Sequence, residues 1–252
     1  MGEYISGSVE NFVAEMNKRA KELGMTNTNF VNTNGLDAEN HYSSARDVAL
    51  MSAELLKHEK IFEFTTIWTD KMHDGKFDLA NTNKLIRFYS GANGLKTGST
   101  DDALCCLSAT AKREDLQLIA VVLGAPTSND RFNDARTLLD YGFANYDVEK
   151  FATKNQEFAT VEVKKGVQDG IKAVAKEDVS LLVSKGQKGQ CEEEIFVPES
   201  VTAPIVKGSS IGKIIYSKDG KTVTEVELVA GEDVEKMGFG KYLINIIKSI
   251  FI

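Results

Sequence analysis

Val9, Phe12, Val13, Met16, Ala20 and Leu23 recur at the spacing of one helix face. Ser8 precedes them as an N-cap residue, and Gly24 follows as a C′ stop. Residues 25 to 42 lose this periodicity and are rich in Asn, Thr and Gly, so they read as turns. Ser44-Ala45-Arg46-Asp47 has the form of a capping box. It opens a second helix running to about Lys57, with Val48, Met51 and Leu55 as the expected buried stripe. Thr65-Thr66-Ile67-Trp68-Thr69 reads as a strand, closed by the turn signal His73-Asp74-Gly75. Leu95 to Thr97, Leu104 to Ala111 and Leu116 to Gly124 read as three more. The last two form a hairpin across Lys112-Arg113-Glu114-Asp115. Ser128 is the expected cap of a helix with Phe132, Ala135, Leu138, Leu139 and Phe143 inside. Helices mixed with an antiparallel sheet make the α+β class.

The pattern changes near Tyr146. Short β-branched runs follow, such as Ala159 to Val163, Val179 to Val183, Ile195 to Val197 and Ile211 to Tyr216. Ser217-Lys218-Asp219-Gly220 before Val223 to Val229 is a hairpin signal. From Val234 to Ile252 the chain turns strongly apolar, with Lys241, Asn245 and Lys248 on one narrow helix face. A spanning helix needs about 20 predominantly apolar residues. This tail is broken by Gly238 and Gly240 and carries charge mid-way, so it reads as an in-plane amphipathic anchor. The expected organisation is an α+β domain over residues 1–147, a β-sandwich-like domain over 148–232 and an anchor helix over 233–252.

Composition narrows the function classes. The 252 residues carry a net charge of −7, which argues against a nucleic-acid partner. Met1 to Glu10 has no apolar stretch of the signal-peptide kind. Cys105, Cys106 and Cys191 have neither a disulfide framework nor a zinc spacing, and read as buried apolar thiols. His41, His58 and His73 are scattered, and His58-Glu59 lacks the second histidine of a metalloprotease helix. The residues support no metal site and imply no cofactor.

Chemistry concentrates in Gly94-Leu95-Lys96-Thr97-Gly98-Ser99-Thr100. Leu95 separates Gly94 from Lys96, so a phosphate-binding loop is excluded. A Lys-Thr-Gly triad is the third active-site motif of penicillin-binding proteins and class A β-lactamases. Alone it reads better as a glycine turn in a loop entering a strand. In serine acyl transfer it can supply part of the oxyanion hole and of the substrate grip. Lys96 would set a cation beside the nucleophile and the substrate carboxylate. Thr97 would offer that carboxylate a hydroxyl, Gly98 would admit the substrate backbone, and the Ser99 N–H would be one oxyanion donor.

The surrounding blocks carry a resemblance. Phe30-Val31-Asn32-Thr33-Asn34-Gly35-Leu36-Asp37, Tyr42-Ser43-Ser44-Ala45-Arg46-Asp47, Asn81-Thr82-Asn83-Lys84-Leu85 and Gly94 to Thr100 stand in order. Together they closely resemble the serine-type D-alanyl-D-alanine carboxypeptidases, the low-molecular-mass penicillin-binding proteins of peptidase family S11. The β-rich segment and the tail resemble that family's C-terminal domain and membrane anchor. The resemblance implies the C-terminal part of a transpeptidase-like domain, and the peptidoglycan stem peptide as substrate, losing its terminal D-Ala through an acyl-serine. It implies β-lactams as mimics and the extracytoplasmic face of the bacterial membrane as location. By position it implies catalytic roles for Lys96 and Ser99, and substrate contacts for Thr97, Gly98, Thr100 and Arg131. Thr82 departs from the pattern, standing where some members have an arginine near the carboxylate.

The nucleophile motif Ser-x-x-Lys and the second motif Ser-x-Asn are absent upstream of Lys96. One Ser-x-x-Lys exists, Ser210-Ile211-Gly212-Lys213, where a turn enters a strand. The acylating motif should open a helix, where one turn brings Lys to Ser. The expectation is therefore an N-terminally truncated carboxypeptidase chain, inactive alone. The alternative is a membrane-associated pseudoenzyme or a binding module for cell-wall peptides.

Overall fold

The structure, a computed structural model, describes residues 1–238 and 240. The chain divides into two compact units, Met1–Asn145 and Tyr146–Ile252.

The first unit begins with α1 (Gly2–Ser6) and α2 (Val9–Glu22). The Ser8 hydroxyl accepts from the Asn11 N–H at 3.1 Å, and Gly24 follows the helix at φ 75°. α3 (Ala45–Leu55) is capped by Ser44, which accepts from the Asp47 N–H at 3.2 Å. The return half of the expected capping box does not form. The Asp47 carboxylate instead accepts from the Asn27 N–H at 2.7 Å and the Thr28 hydroxyl at 2.8 Å, pinning the turn-rich segment. The buried residues of α3 are Asp47 and Ser52, whereas Met51 and Leu55 are exposed. Met51 lines an apolar groove of about 300 Å³ with Phe12, Met16, Leu23, Met25 and Phe30.

The strand expected at Thr65 to Thr69 does not form. A 3-10 turn at Glu59–Ile61 continues into α4 (Phe62–Thr65), and Thr66 hydrogen-bonds back to Phe62. β-Branched character is overridden by the helical turn that precedes it. β1 (Thr69–Met72) and β2 (Phe77–Ala80) then pair across His73, Asp74 and Gly75, all at positive φ.

After α5 (Leu85–Phe88), the strands β3 (Ala92–Thr100), β4 (Leu104–Arg113) and β5 (Leu116–Ala125) form an antiparallel sheet in that order. Only Glu114 and Asp115 separate β4 from β5. α6 (Ser128–Asn145) covers one face, where Gly142 abuts Leu118. α3 touches the opposite face through a Ser52–Ser108 hydroxyl pair at 2.8 Å. Phe132, Ala135, Leu139 and Phe143 of α6 are buried, while Leu138 is 51% exposed. The cap of α6 is Thr127 rather than Ser128, since the Thr127 hydroxyl accepts from the Asp130 N–H at 3.2 Å. Tyr89 donates to Asp140 of α6 at 2.7 Å; burial and this carboxylate push the phenol up to about 12.

The second unit is all β. β6 (Tyr146–Ala152) pairs with β9 (Val179–Ser184). A six-stranded sheet contains β7 (Glu157–Lys164), β8 (Gly170–Ala175), β10 (Glu192–Phe196), β11 (Ser200–Thr202), β12 (Ser210–Lys218) and β13 (Lys221–Ala230), ordered β10-β12-β13-β8-β7-β11. Phe151 and Tyr216 join the two sheets with ring centroids 4.7 Å apart, and the Tyr216 hydroxyl donates to the Phe151 carbonyl. Asp219 and Gly220, both at positive φ, make the expected tight hairpin turn.

Val234 is 1% exposed and bridges to Ile205, and Lys236 bridges to Gly166. Residues 234–236 thus belong to the β unit, which corrects the expected start of the tail helix. The rest of the anchor expectation, at 239 and 241–252, lies outside the described residues. The three cysteines are free thiols and half-buried rather than buried.

Candidate active site

Lys96, Thr97 and Gly98 lie in the middle of β3, which is an edge strand. Opposite them on β4 stand Ser108, Leu107 and Cys106. Side chains alternate along a strand, so Lys96, Gly98 and Thr100 share one face and Thr97 and Ser99 the other. Lys96, Gly98 and Ser99 are exposed, Thr100 is half-buried and Thr97 is 8% exposed. The Lys96 ammonium donates to the carbonyl of Thr97. The Thr100 hydroxyl accepts from the Ala103 N–H at 2.9 Å, tightening the turn into β4.

Gly98 is not demanded by the protein's own packing. A Cβ there would meet only the Cβ of Cys106, at an ordinary 3.9 Å. Glycine therefore leaves open space on the strand surface, where another backbone can lie close.

Arg131 sits behind this strand. The resemblance implies a contact with a substrate carboxylate, yet its guanidinium is directed at backbone. Nη1 donates to the Gly98 carbonyl at 2.9 Å and the Cys106 carbonyl at 3.2 Å, and Nη2 to the Ser128 hydroxyl at 3.2 Å. The residue is 8% exposed. Its position holds β3 and β4 together beneath the triad.

Two further blocks, around Asn81 to Leu85 and around Asp37, frame the strand. Asn83, 1% exposed, donates its amide to the Gly94 carbonyl at 2.9 Å, and the Thr82 hydroxyl meets that of Thr97 at 2.6 Å. The turn-rich segment reaches the other end of β3, where Asp37 accepts from the Asp102 N–H at 3.3 Å. A cavity of about 490 Å³ lies between them, lined by Phe30, His41, Tyr42, Thr100, Cys106 and Leu123. A polar residue bracketed by two asparagines was the available signal for Thr82. Nothing in the spacing pointed to Cys106.

Ser210 and Lys213 lie in the second unit, on β12, and Lys213 pairs with Glu225 at 3.0 Å.

Residues 1–127 match the D-alanyl-D-alanine carboxypeptidase family, peptidase S11, and residues 146–236 match the C-terminal domain of penicillin-binding protein 5. The chain is 44% identical over 247 residues to the D-alanyl-D-alanine carboxypeptidase DacF of Bacillus subtilis, covering 96% of this chain and 64% of that protein. It thus spans slightly under two thirds of that relative's length. Penicillin-binding protein 5 of Haemophilus influenzae superposes with a TM-score of 0.69 at 33% identity, over 93% of this chain and 69% of that one. Penicillin-binding protein D2 of Listeria monocytogenes, in its cefotaxime-bound form, gives a TM-score of 0.52 at 38% identity over 56% of this chain and 58% of that one. The order of elements around the Lys-Thr-Gly strand and these matches agree, and the chain belongs to the peptidase S11 family of D-alanyl-D-alanine carboxypeptidases.

Proposed function

We propose that this chain carries the substrate-gripping strand of a serine-type D-alanyl-D-alanine carboxypeptidase, a hydrolase that removes the terminal D-Ala of peptidoglycan stem peptides. The observation that supports this most is the Lys96-Thr97-Gly98 strand edge, open at Gly98 and braced from behind by Arg131. On this reading Lys96 sets a cation beside the nucleophile's proton network, and Thr97 offers a hydroxyl to the substrate carboxylate. Gly98 admits the peptide backbone, the Ser99 N–H faces the developing oxyanion, and Thr100 extends the edge along the ligand. Arg131 serves the carboxylate indirectly, by fixing the strand. β-Lactams are substrate mimics here, a reading supported by the cefotaxime complex of the Listeria relative.

These 252 residues by themselves do not form the acyl-serine. The single Ser-x-x-Lys of the sequence lies on a strand, with its lysine paired to Glu225. The test is intact mass after incubation with a labelled penicillin. No adduct is expected, and a stoichiometric adduct on Ser210 overturns this part. Calorimetric titration with a D-Ala-D-Ala peptide and its L-Ala-L-Ala counterpart tests the substrate; equal affinity for both sinks it.

The apolar tail, with Lys241, Asn245 and Lys248 at helical spacing, supports attachment to an anionic membrane surface, and the extracytoplasmic side is supported by the family resemblance alone. Deleting residues 239–252 is expected to release the protein from anionic vesicles. Unchanged co-sedimentation rejects the attachment.

A further inference from the structure

A cavity of about 350 Å³ opens between α5 and α6. Lys84 and Phe88 line it from the two ends of α5, and Asn129, Asn133 and Arg136 from α6. The three α6 positions are four and then three residues apart, so they share one helix face. Leu85 and Phe132, 1% and 5% exposed, complete the wall.

Both sides of this cavity are fixed by the fold itself. Asn83, beside Lys84, donates its amide to the Gly94 carbonyl at 2.9 Å, and its oxygen accepts from the Leu85 N–H at 3.2 Å. Tyr89, beside Phe88, donates to Asp140 of α6 at 2.7 Å. The Phe88 ring is exposed, yet Trp68 meets it edge-on with centroids 6.0 Å apart, and the Arg87 guanidinium stands 5.5 Å from its centroid.

The charge of the wall runs against that of the chain. Asp and Glu outnumber Lys and Arg by 37 to 30, yet the described lining holds Lys84 and Arg136 and no carboxylate. The nearest acids in sequence are engaged elsewhere. Asp140, one turn beyond Arg136, accepts from Tyr89, and Asp130 accepts from the Thr127 hydroxyl at 2.7 Å. Asp134, also on α6, does not line the cavity. Among the described residues, neither cation has an ion-pair partner, and neither asparagine side chain a hydrogen-bond partner. Two cations around one cavity repel each other, and a bound anion relieves that repulsion.

Two positive charges match a phosphate monoester, which carries nearly two negative charges near neutral pH, better than they match one carboxylate. The arginine fork and the lysine point charge both suit phosphate oxygens. The asparagine amides donate and accept, as hydroxyl groups require, and the exposed ring offers an apolar face. We propose that the α5–α6 cavity binds a phosphorylated sugar or polyol, with Lys84 and Arg136 on the phosphoryl group and Asn129, Asn133 and Phe88 on the hydroxylated body. This site goes beyond the peptidase reading and does not depend on it.

The test is an NMR titration of the full chain, followed at the backbone amides of Phe88, Asn129 and Asn133. The probes are glucose-6-phosphate, inorganic phosphate, glucose and acetate at constant ionic strength. They are applied to the wild type, Lys84→Gln, Arg136→Gln and Arg136→Lys. Both cations are exposed, so all three variants should keep the thermal midpoint of the wild type. Lys84→Gln and Arg136→Gln are each expected to weaken glucose-6-phosphate by about tenfold, the scale of one lost charge-assisted hydrogen bond. Arg136→Lys should lose less, since it keeps the charge without the fork. Inorganic phosphate should bind more weakly than the sugar phosphate, and glucose and acetate more weakly still. Equal affinity of wild type and Arg136→Gln for glucose-6-phosphate overturns the proposal. So does acetate bound as tightly as inorganic phosphate, or an absence of shifts at the three amides. Inorganic phosphate bound as tightly as the sugar phosphate overturns the sugar contact and assigns the cavity to free phosphate.

Discussion

Nη1 of Arg131 lies 2.9 Å from the carbonyl oxygen of Gly98, joining α6 to the strand that carries the triad. The same nitrogen reaches the Cys106 carbonyl on β4, and the guanidinium stands 4.9 Å from the Phe132 ring centroid. One buried cation thus satisfies carbonyls on two adjacent strands. Arg131→Met removes those donors and leaves the carbonyls facing an apolar chain. The expected cost is about 2–3 kcal/mol, the range for buried hydrogen bonds to a charged group. Arg131→Lys has no planar fork and should recover only part of it. Urea unfolding followed by Trp68, the sole tryptophan, measures both, and a change under about 0.5 kcal/mol for the methionine variant contradicts the bracing role.

Gly98 separates the needs of the fold from those of the ligand. Its φ is not positive, and a Cβ would meet the chain only at 3.9 Å. Gly98→Ala should therefore change stability by less than about 1 kcal/mol. A methyl group on the open face should nevertheless weaken binding of a D-Ala-D-Ala peptide by about tenfold or more, since backbone can no longer approach. Paired unfolding and titration curves decide. A large loss of stability would show that the glycine serves packing.

Much of the fold follows from local pattern, and the exceptions have physical causes. The Ser8 and Ser44 caps and the Asp219-Gly220 turn are short-range features that formed as the residues dictated, whereas the hairpin expected across Lys112 to Asp115 formed with a tighter turn, Lys112 and Arg113 staying in the ladder and only Glu114-Asp115 turning. Thr65 to Thr69 failed because the preceding Phe62 to Thr65 turn is helical, and a β-branched run has no intrinsic power to resist that. The α3 stripe failed differently. Its periodicity is real, but the residues facing the sheet are the polar ones, with Ser52 bonded to Ser108 on β4 and Asp47 to the turn segment. In the site, the triad was readable because three residue types are adjacent. The Thr82–Thr97 contact spans 15 residues and the Arg131–Gly98 contact spans 33, so only the tertiary structure reveals what the two residues touch.

Asp47 should set the acid limb of the first unit's stability. Burial pushes its carboxyl up, but hydrogen bonds from Thr28, the Asn27 N–H and Ser44, with Arg46 beside it, together outweigh burial and hold it below its ordinary value. A lowered folded value means that the unfolded chain binds the proton first. Stability from this group is then fully present above about pH 4, and is lost as pH falls through the folded value. Asp47→Asn should remove that part of the pH dependence and lower stability at neutral pH, because its amide presents hydrogen atoms to groups that donate. Trp68-monitored urea midpoints between about pH 2 and pH 7 test this. An acid limb of unchanged slope in the variant assigns the dependence to other carboxylates.

In the second unit, two glycines of the same hairpin should respond to alanine for different reasons. At Gly212, a Cβ would overlap the carbonyl oxygen of Phe196 on β10 and stand 2.9 Å from a Val197 methyl. Both neighbours belong to the backbone or its tightly held side chain, so β10 must move off β12. The expected cost is about 1–3 kcal/mol, with hydrogen exchange accelerated at Glu194 to Phe196. At Gly220 nothing lies within 4 Å, but φ is 71°. Alanine there pays only in backbone conformation, about 1 kcal/mol, and should leave β10 protected. Gly220→Asn, which tolerates the left-handed region, should be close to neutral, whereas Gly212→Asn should be at least as damaging as alanine. The discriminating result is the asparagine pair. If Gly212→Asn is no more destabilised than Gly220→Asn, the steric account of Gly212 fails, because φ at Gly212 is not positive and the overlap with the Phe196 carbonyl would then cost nothing measurable.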